Sequence, residues 1–514
     1  MGPNVVTPYP QPASLEEREA FRRLQSQLAG QFRRVFPDPK VPRTVLIVPS
    51  FSLDQEVMSK IKGVTHYEER FLCLLLLMRW PRTRVIYVTS TPLSDSIIDY
   101  YLHLLPGVPA RHARRRLTLL SCHDSALQPL TAKILRRPRL LAQLDEALGD
   151  RSSAHMTCFT VTDLERSLAV RLGIPIYGCD PDLQHLGFKS DSRKLFREAG
   201  VTLPDGFEDL ADASSVADAL AELKARNPRL RRAVVKLNEG FSGEGNATFR
   251  FEGAPNTSGL AVWARARLPE LAFEAGDMTW EAYHAKIQEM GAIVEAYVEG
   301  CDKRSPSAQF RIDPLGQLEV ISTHDQIMGG KSDQIFLGCC FPADESYRLE
   351  VQNEGLKVAE ALRHRGVLGR FGVDFVSLRD GNRWRHYAIE VNLRKGGTTH
   401  PFLMLQFLTD GTYDPATGLY HTRAGQPRYY YASDNLEKPS YQGLMPDDLI
   451  DIAVLNGLHF DGATQEGVVF HLLGALSEFG KLGVVSVAGT LDRARARYEE
   501  TTRILDRETD QVPA

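Results

Sequence analysis

No Cys-x-x-Cys pair occurs in the 514 residues, and the seven cysteines, at positions 73, 122, 158, 179, 301, 339 and 340, are odd in number and scattered. That excludes a dense disulfide framework and a cysteine-rich zinc ribbon, and points to a reducing, cytoplasmic setting. Long apolar runs are missing too. The longest, FLCLLLLM at 71–78, is far short of the ~20 residues a membrane helix needs; lying between EER and RWPR, it reads as a buried core helix. The opening MGPNVVTPYPQPAS has no apolar core for a secretory signal, and Val6 stands where a myristoylation signal needs Ser or Thr. A net charge of −4 offers no basic surface for nucleic acid, and the one dense basic run, RHARRRL at 111–117, has no interleaved aromatics on which bases would stack. No internal repeat and no low-complexity tract is present. Neither GxGxxG after a strand nor GxxxxGK[ST] occurs, so a nicotinamide site is unsupported.

What is present is ordinary for a soluble chain of two to four domains, at ~150 residues each. Ser14 and Glu17 bear a capping-box signature, opening a helix to about Val35. TVLIVPS (44–50), RVIYVTS (84–90) and RLTLLSC (116–122) are β-branched runs separated by helical patterns, the rhythm of a small parallel sheet. A helix around 164–172 ends at Gly173, another over 191–199 ends at Gly200, and a third spans 214–226. Strand patterns follow at 293–300, 308–313 and 318–326, then a helix near 346–364. Residues 410–442, rich in Gly, Pro and Tyr, read as a linker or excursion.

The sharpest signal is GRFGVDFVSLRDGNRWRHYAIEVNLRKGGTTHP, residues 369–401. Asp380-Gly381 marks a hairpin turn. A hairpin centred on Asn382 sets Asp374 opposite Glu390, with Cβ atoms roughly 5 Å apart. Strand alternation keeps Asn392 and Arg394 on the face of Glu390. Two carboxylates and an amide oxygen form a hard, oxygen-only site suited to Mg²⁺ held together with phosphates; taken alone, they equally fit a polar sheet edge. Arg394 on that face offers a planar fork for a carboxylate. A second signal is AVVKLNEGFSGEGNATFRF (233–251), a strand closed by Lys236 and followed by a loop with Gly240, Ser242, Gly243 and Gly245. Such a loop can bring backbone N–H groups against phosphate. Lys189 precedes the short helix that ends in AGVTLP.

In this order and rough spacing, the pieces resemble the ATP-grasp superfamily: Lys189, then Lys236 with its glycine loop, VEAYVEG at 294–300, Asp374, and the Glu390-x-Asn392 pair. D-alanine–D-alanine ligases share the order, and EVNLR is similar to the metal-and-arginine strand of biotin carboxylase. More of the chain, about 43–505, resembles the pheganomycin-type peptide ligases, through VLIVPSFSLD, HYEER, SPSAQFRID, STHDQIMGG, EVNLRKGGTTHP and GVVFHLLGALSEFGKLGV. The resemblance implies an α/β and α+β multidomain chain. A tail and helix (1–40) would precede a Rossmann-like pre-ATP-grasp domain (41–184), an ATP-grasp core of two α+β subdomains (185–409), the 410–442 linker and a small α/β C-terminal domain (443–514).

It also implies roles. Lys189 and Lys236 would contact the ATP phosphates beneath Gly240, Ser242 and Gly243. Glu295 and the backbone of Ala296, Tyr297 and Val298 would hold adenine, and Asp302 the ribose. Asp374, Glu390 and Asn392 would bind Mg²⁺, with Mn²⁺ able to take its place, and Arg394 would act with Lys236 in catalysis. The implied activity is ATP-dependent ligation of a carboxylic or amino acid to an amine or peptide through an acyl phosphate, releasing ADP and phosphate. Neither nucleic acid nor membrane would be a partner. A kinase of a small hydroxylated molecule on the same scaffold is the alternative, as is a non-catalytic nucleotide-binding protein; the latter would lack a lysine or a ligand, and none is missing. For the proton of the incoming amine, His324, His400, Asp325 and Glu239 stand as open candidates. The cluster His66, Glu68, Glu69, Arg70, His123 and Asp124 reads as structural, and no motif makes Cys122 a nucleophile.

Overall fold

The computed structural model describes residues 13–52, 55–240, 243, 245–255, 259–300, 302–329 and 335–510. Ser14 caps the first helix, Leu15–Val35, by accepting from the Glu17 N–H. The β-branched runs form parallel strands β1 (Arg43–Val48), β2 (Thr83–Thr89) and β3 (Leu117–Ser121), joined by β4 (Ala154–Cys158) in the order β3-β2-β1-β4. Every residue of β1 is buried, as expected of a parallel strand covered on both faces. The apolar run before β2 is helical and buried, as read, but it is wound as a 3₁₀ helix over Val64–Arg79.

A second sheet runs β5 (Gly206–Leu210), β9 (Ala292–Ala296), β6 (Arg232–Leu237), β7 (Asn246–Arg250) and β8 (Ala272–Phe273) in that spatial order. It is antiparallel throughout. The third sheet has nine strands. From one edge run β10 (Lys303–Arg304), β14 (Gly369–Asp380), β11 (Pro306–Ile312), β12 (Leu318–Gly329), β13 (Ile335–Phe341), β18 (Tyr429–Glu437), β20 (Lys481–Ala488) and β19 (Gly467–His471); β15 (Arg383–Asn392) pairs with β14. β16 (Thr412–Asp414) and β17 (Leu419–His421) form a separate hairpin.

Within the 410–442 stretch, read as a linker or excursion, residues 429–437 form a strand of the large sheet and 412–421 the separate hairpin. β18 lies between β13 and β20 and alternates half-buried with buried residues, the period-2 pattern of a strand packed on one face. Its Tyr-rich sequence hid a period that burial of Tyr430, Ala432, Asp434 and Leu436 makes plain. One hydrophobic core joins Val45, Ile47 and Tyr87 of the parallel sheet to Leu436, Val469, Val484 and Leu505. The C-terminal part is thus packed directly against the N-terminal sheet, and both reach the same cavity. No helix among the described residues is long and apolar enough to cross a membrane.

Candidate active site

A cavity of about 480 Å³ opens between the second and third sheets and the N- and C-terminal parts. Its floor is the β14–β15 hairpin. The turn is Gly381–Asn382, with Gly381 at φ +62° and Asp380 paired to Arg383. That register, continued, would set Asp374 opposite Ile389. A bulge between Asp374 and Phe375 shifts it by one residue, so that Asp374 faces Glu390 and Gly372 faces Asn392. The expected opposition is present, but the bulge produces it, not a centre at Asn382.

The hairpin groups form one network. Asn392 Nδ2 donates to Asp374 Oδ2 at 2.9 Å, and Arg394 donates to Asn392 Oδ1. Lys189 Nζ lies 3.5 Å from Glu390 Oε1. Arg394 can only donate and an ionised Asp374 only accept, which fixes the amide of Asn392 between them. Burial, then the charge of Glu390, pushes the Asp374 carboxyl up to about 6, against opposing contributions from Ser307, Arg394 and Gln326. A carboxylate raised by a neighbouring carboxylate is one that a cation would restore, and the donor set is hard oxygen throughout. The residues fit Mg²⁺.

This sets a pH dependence. Asp374 must be ionised to ligate, so Mg²⁺ affinity is expected to fall as pH drops through about 6. The raised carboxyl gives the metal-free protein a stabilising contribution that is complete below the unfolded value of 3.8 and lost as pH rises through about 6. The rise in melting temperature on adding Mg²⁺ should therefore be larger at pH 7.5 than at pH 5.5. An equal rise at both would show that the ion binds elsewhere.

The lysines are placed differently from one another. Lys236 lines the cavity, and its ammonium donates to Glu295 Oε2 at 2.6 Å. Lys189 and Gly240 stand just outside the wall; a Cβ at Gly240 would come within 3.3 Å of Lys189 Nζ, so glycine leaves the ammonium its place. Gly243 lines the cavity at φ +82°. Ser242 lies outside the described residues.

Two expectations need correction. Glu295 does not present its carboxylate to a base: Lys236 takes one oxygen, Arg193 the other, and all three residues are buried. Burial alone would raise this carboxyl, but the two cations outweigh it and hold it below the usual carboxylate range. Glu295 still borders the cavity, with its carboxylate held in these two ion pairs. The Ala296 and Tyr297 N–H groups donate to the Asp205 and Arg232 carbonyls. The Val298 N–H has no hydrogen bond among the described residues, and all three line the cavity. Asp302 does not line it; its carboxylate is 3.2 Å from Arg304 and 3.8 Å from Arg379. Its neighbour Lys303 does line the cavity and donates to the Tyr297 hydroxyl at 3.3 Å.

None of the four base candidates borders the cavity. His324 is fully buried against the Tyr430 hydroxyl and His400 lies tilted against His471 with ring centroids 4.1 Å apart; burial pushes both histidines down to about 3. Asp325 accepts from the Tyr347 hydroxyl and the Asp344 N–H, and Glu239 is exposed. In the N-terminal cluster, Glu68 is held by the Ser90 N–H and hydroxyl, each at 2.6 Å, and burial raises its carboxyl to about 7. Glu69 ties His66 to the Gly474 N–H, and Asp124 pairs with Arg137. These are structural, as read, with one exception. Arg70 lines the cavity and pairs with Asp434 at 3.0 Å. Asp434, Asn435 and Lys481 line it as well and were missed. A visible signal existed for Lys481: one lysine heading the unbroken apolar run LGVVSVA.

A family model described as "IQCH-like, ATP-grasp" matches residues 181–252 and 269–416, and one described as "PGM1 C-terminal domain" matches 448–501. L-propargylglycine–L-glutamate ligase from Streptantibioticus cattleyicolor is 30% identical over 459 residues, covering 88% of this chain and 92% of that protein. IQ motif-containing protein H from Danio rerio is 20% identical over 548 residues, 97% of this chain and 51% of that one. Among solved structures, the biotin carboxylase–β,γ-ATP complex from Campylobacter jejuni superposes with a TM-score of 0.53 at 14% identity, covering 92% of this chain and 96% of that one.

Proposed function

Because the chain belongs to the ATP-grasp ligases of the pheganomycin type, we propose that it is an ADP-forming carbon–nitrogen ligase joining a carboxylic or amino acid to an amine-bearing amino acid or peptide. The observation that carries the reading is that Asp374, Glu390 and Asn392 of one hairpin, with Arg394 just beyond it donating to Asn392, line one cavity with Lys236. The name of the Streptantibioticus relative pairs two amino acids, which supports substrates of that size.

In the first step a carboxylate oxygen attacks the γ-phosphorus of ATP. An O–P bond forms, the bond to the bridging oxygen breaks, and ADP leaves with that electron pair. In the second, the amine nitrogen attacks the acyl carbon; a C–N bond forms, the C–O bond to phosphate breaks, and the nitrogen gives up its proton. Two anions must meet in the first step, and cations at the transferring phosphoryl offset their repulsion. Lys236 and Lys189 would hold phosphate oxygens, with Gly240 and Gly243 beside them. The Val298 N–H, with the neighbouring backbone, would receive adenine. Asp374, Glu390 and Asn392 would hold Mg²⁺ or Mn²⁺, which supplies charge neutralisation to the phosphates when bound. Arg394 would clamp the carboxylate undergoing activation.

The test is phosphate release from Mg²⁺-ATP across paired amino acids and short peptides, with mass detection of products. Release that needs both partners and yields their summed mass less water is the expected result. Hydroxylamine should trap an acyl hydroxamate. Arg394→Met should lower kcat about 10²–10³-fold with little change in the KM for ATP. Phosphoryl transfer to a hydroxyl, or product formation that survives the Arg394 change, would overturn the assignment.

A further inference from the structure

The wall of the cavity built by the N- and C-terminal parts carries cations that the nucleotide chemistry does not use. Lys481 heads β20, a strand in which every residue is buried, and is itself 5% exposed. Its ammonium donates to the Tyr67 hydroxyl at 3.0 Å and lies 5.2 Å from the centre of that ring. Among the described residues, no carboxylate oxygen comes within 4.0 Å of it. Arg70, also 5% exposed, reaches the same wall. One nitrogen of its guanidinium pairs with Asp434, the group packs on the rings of Tyr67 and Phe159, and Nε has no partner among the described residues. Asp434 is taken up by Arg70, and Glu437, the cross-strand partner of Lys481, by Lys62. A buried ammonium without a counter-ion is costly to fold around, and a ligand that brings the missing charge removes that cost. Burial lowers the Lys481 ammonium's hold on its proton, while Asp434 and Glu437 strengthen it and Arg70 and Lys62 weaken it.

The chemistry of the wall narrows the ligand. A planar, singly charged carboxylate matches the guanidinium fork with the ammonium beside it. The aromatic faces of Tyr67 and Phe159 suit a small organic body, and Asp434 next to Arg70 would repel a multiply charged phosphate. We propose that Arg70 and Lys481 grip a free carboxylate of a substrate, remote from the carboxyl or amine that reacts, so that the enzyme selects α-amino acids or peptides with a free carboxylate over their amides. The inference rests on the ligase reading and extends it to a substrate class.

The experiment is calorimetric titration of the full chain without ATP, using the proteinogenic L-amino acids and their α-carboxamides as probes. At least one amino acid should bind, and its amide about tenfold or more weaker, as expected for loss of a charge-assisted contact. Lys481→Met, which places an apolar side chain in a buried strand, should weaken the acid about tenfold and leave both the amide and ATP unchanged. Arg70→Gln should act in the same direction. In turnover, KM for the acid should rise with kcat kept. Absence of acid-selective binding, equal binding of acids and amides, or a Lys481→Met protein with the wild-type preference would each overturn the proposal. Lys481-dependent selectivity without any ATP-driven product would sink the ligase reading and keep the subsite; product formation indifferent to the free carboxylate would do the reverse.

Discussion

Asp374→Asn is expected to lower ligation about 10³-fold while leaving the metal-free protein at least as stable as the wild type. The two effects have one cause. At neutral pH the Asp374 carboxylate is ionised against burial and against Glu390, which is why its carboxyl is pushed up to about 6. A displacement of that size corresponds to at most about 3 kcal/mol of unfavourable energy in the absence of a cation. The true figure is smaller, because Asp374 keeps some solvent contact. Asparagine has nearly the same shape and can still accept from Asn392 Nδ2, so the packing and the hydrogen bond survive while the repulsion goes. What is lost is the charge that would hold Mg²⁺. Thermal melts with and without Mg²⁺, beside a phosphate-release assay, separate the two. The wild type should gain stability from Mg²⁺ and the variant should not. A variant that melts well below the metal-free wild type, or still ligates at a tenth of the normal rate, would show that this carboxylate is structural.

The opposite balance is expected at Glu295. Its carboxylate is the only group between Arg193 and Lys236 in the buried triad, and Arg193 and Glu295 are each 2% exposed. Glu295→Ala leaves the Lys236 ammonium without its carboxylate and Arg193 with Glu208 alone at 3.2 Å, and removing one partner of such a buried set costs about 3–5 kcal/mol. Denaturant unfolding should show the loss. Glu295→Gln, which keeps the shape and some of the hydrogen bonding, should lose less. Lys236→Met is the instructive contrast: it leaves the Arg193–Glu295 pair in place, so stability should hold far better while ATP affinity falls. The acid limb follows from the same pair. Because the Glu295 carboxyl is held below its ordinary value of 4.5, its contribution is present above that pH and lost as pH falls through the lower folded value. A Glu295→Ala protein within 1 kcal/mol of the wild type would mean that water, not the protein, compensates the two cations.

These contrasts bear on what could be read in advance. The groups expected to meet a metal lie within one hairpin, where an Asp-Gly turn and strand alternation decide which side chains share a face. The bulge that brings Asp374 opposite Glu390 left no mark in the sequence, and the pairing came out right because the misjudged turn centre and the unseen bulge cancel. Glu295 was misjudged for another reason. Its position at the end of β9 is local, but its partner Arg193 comes from a different element, the helix Lys189–Glu198, and no pattern within either segment announces the pair. Asp302 failed in the same way, being turned toward Arg304 and Arg379 by the pairing of β10 with β14.

By itself the sequence determined the elements whose cause is local. These are the capped first helix, the buried parallel strands, the helix stopped at Gly200, and the β14–β15 hairpin with its turn after Asp380. Each depends on side chains a few residues apart, where backbone geometry fixes the neighbours. Only the tertiary structure decided which charges meet across the chain: Glu295 with Arg193 and Lys236, Arg70 with Asp434, and Lys481 facing Tyr67 with no carboxylate oxygen within 4.0 Å among the described residues. Only it made residues 429–437 a strand of the central sheet, because β18 is a strand by virtue of β13 and β20 on either side of it. Long-range pairing depends on register and on a shared core, and neither is written in any one segment.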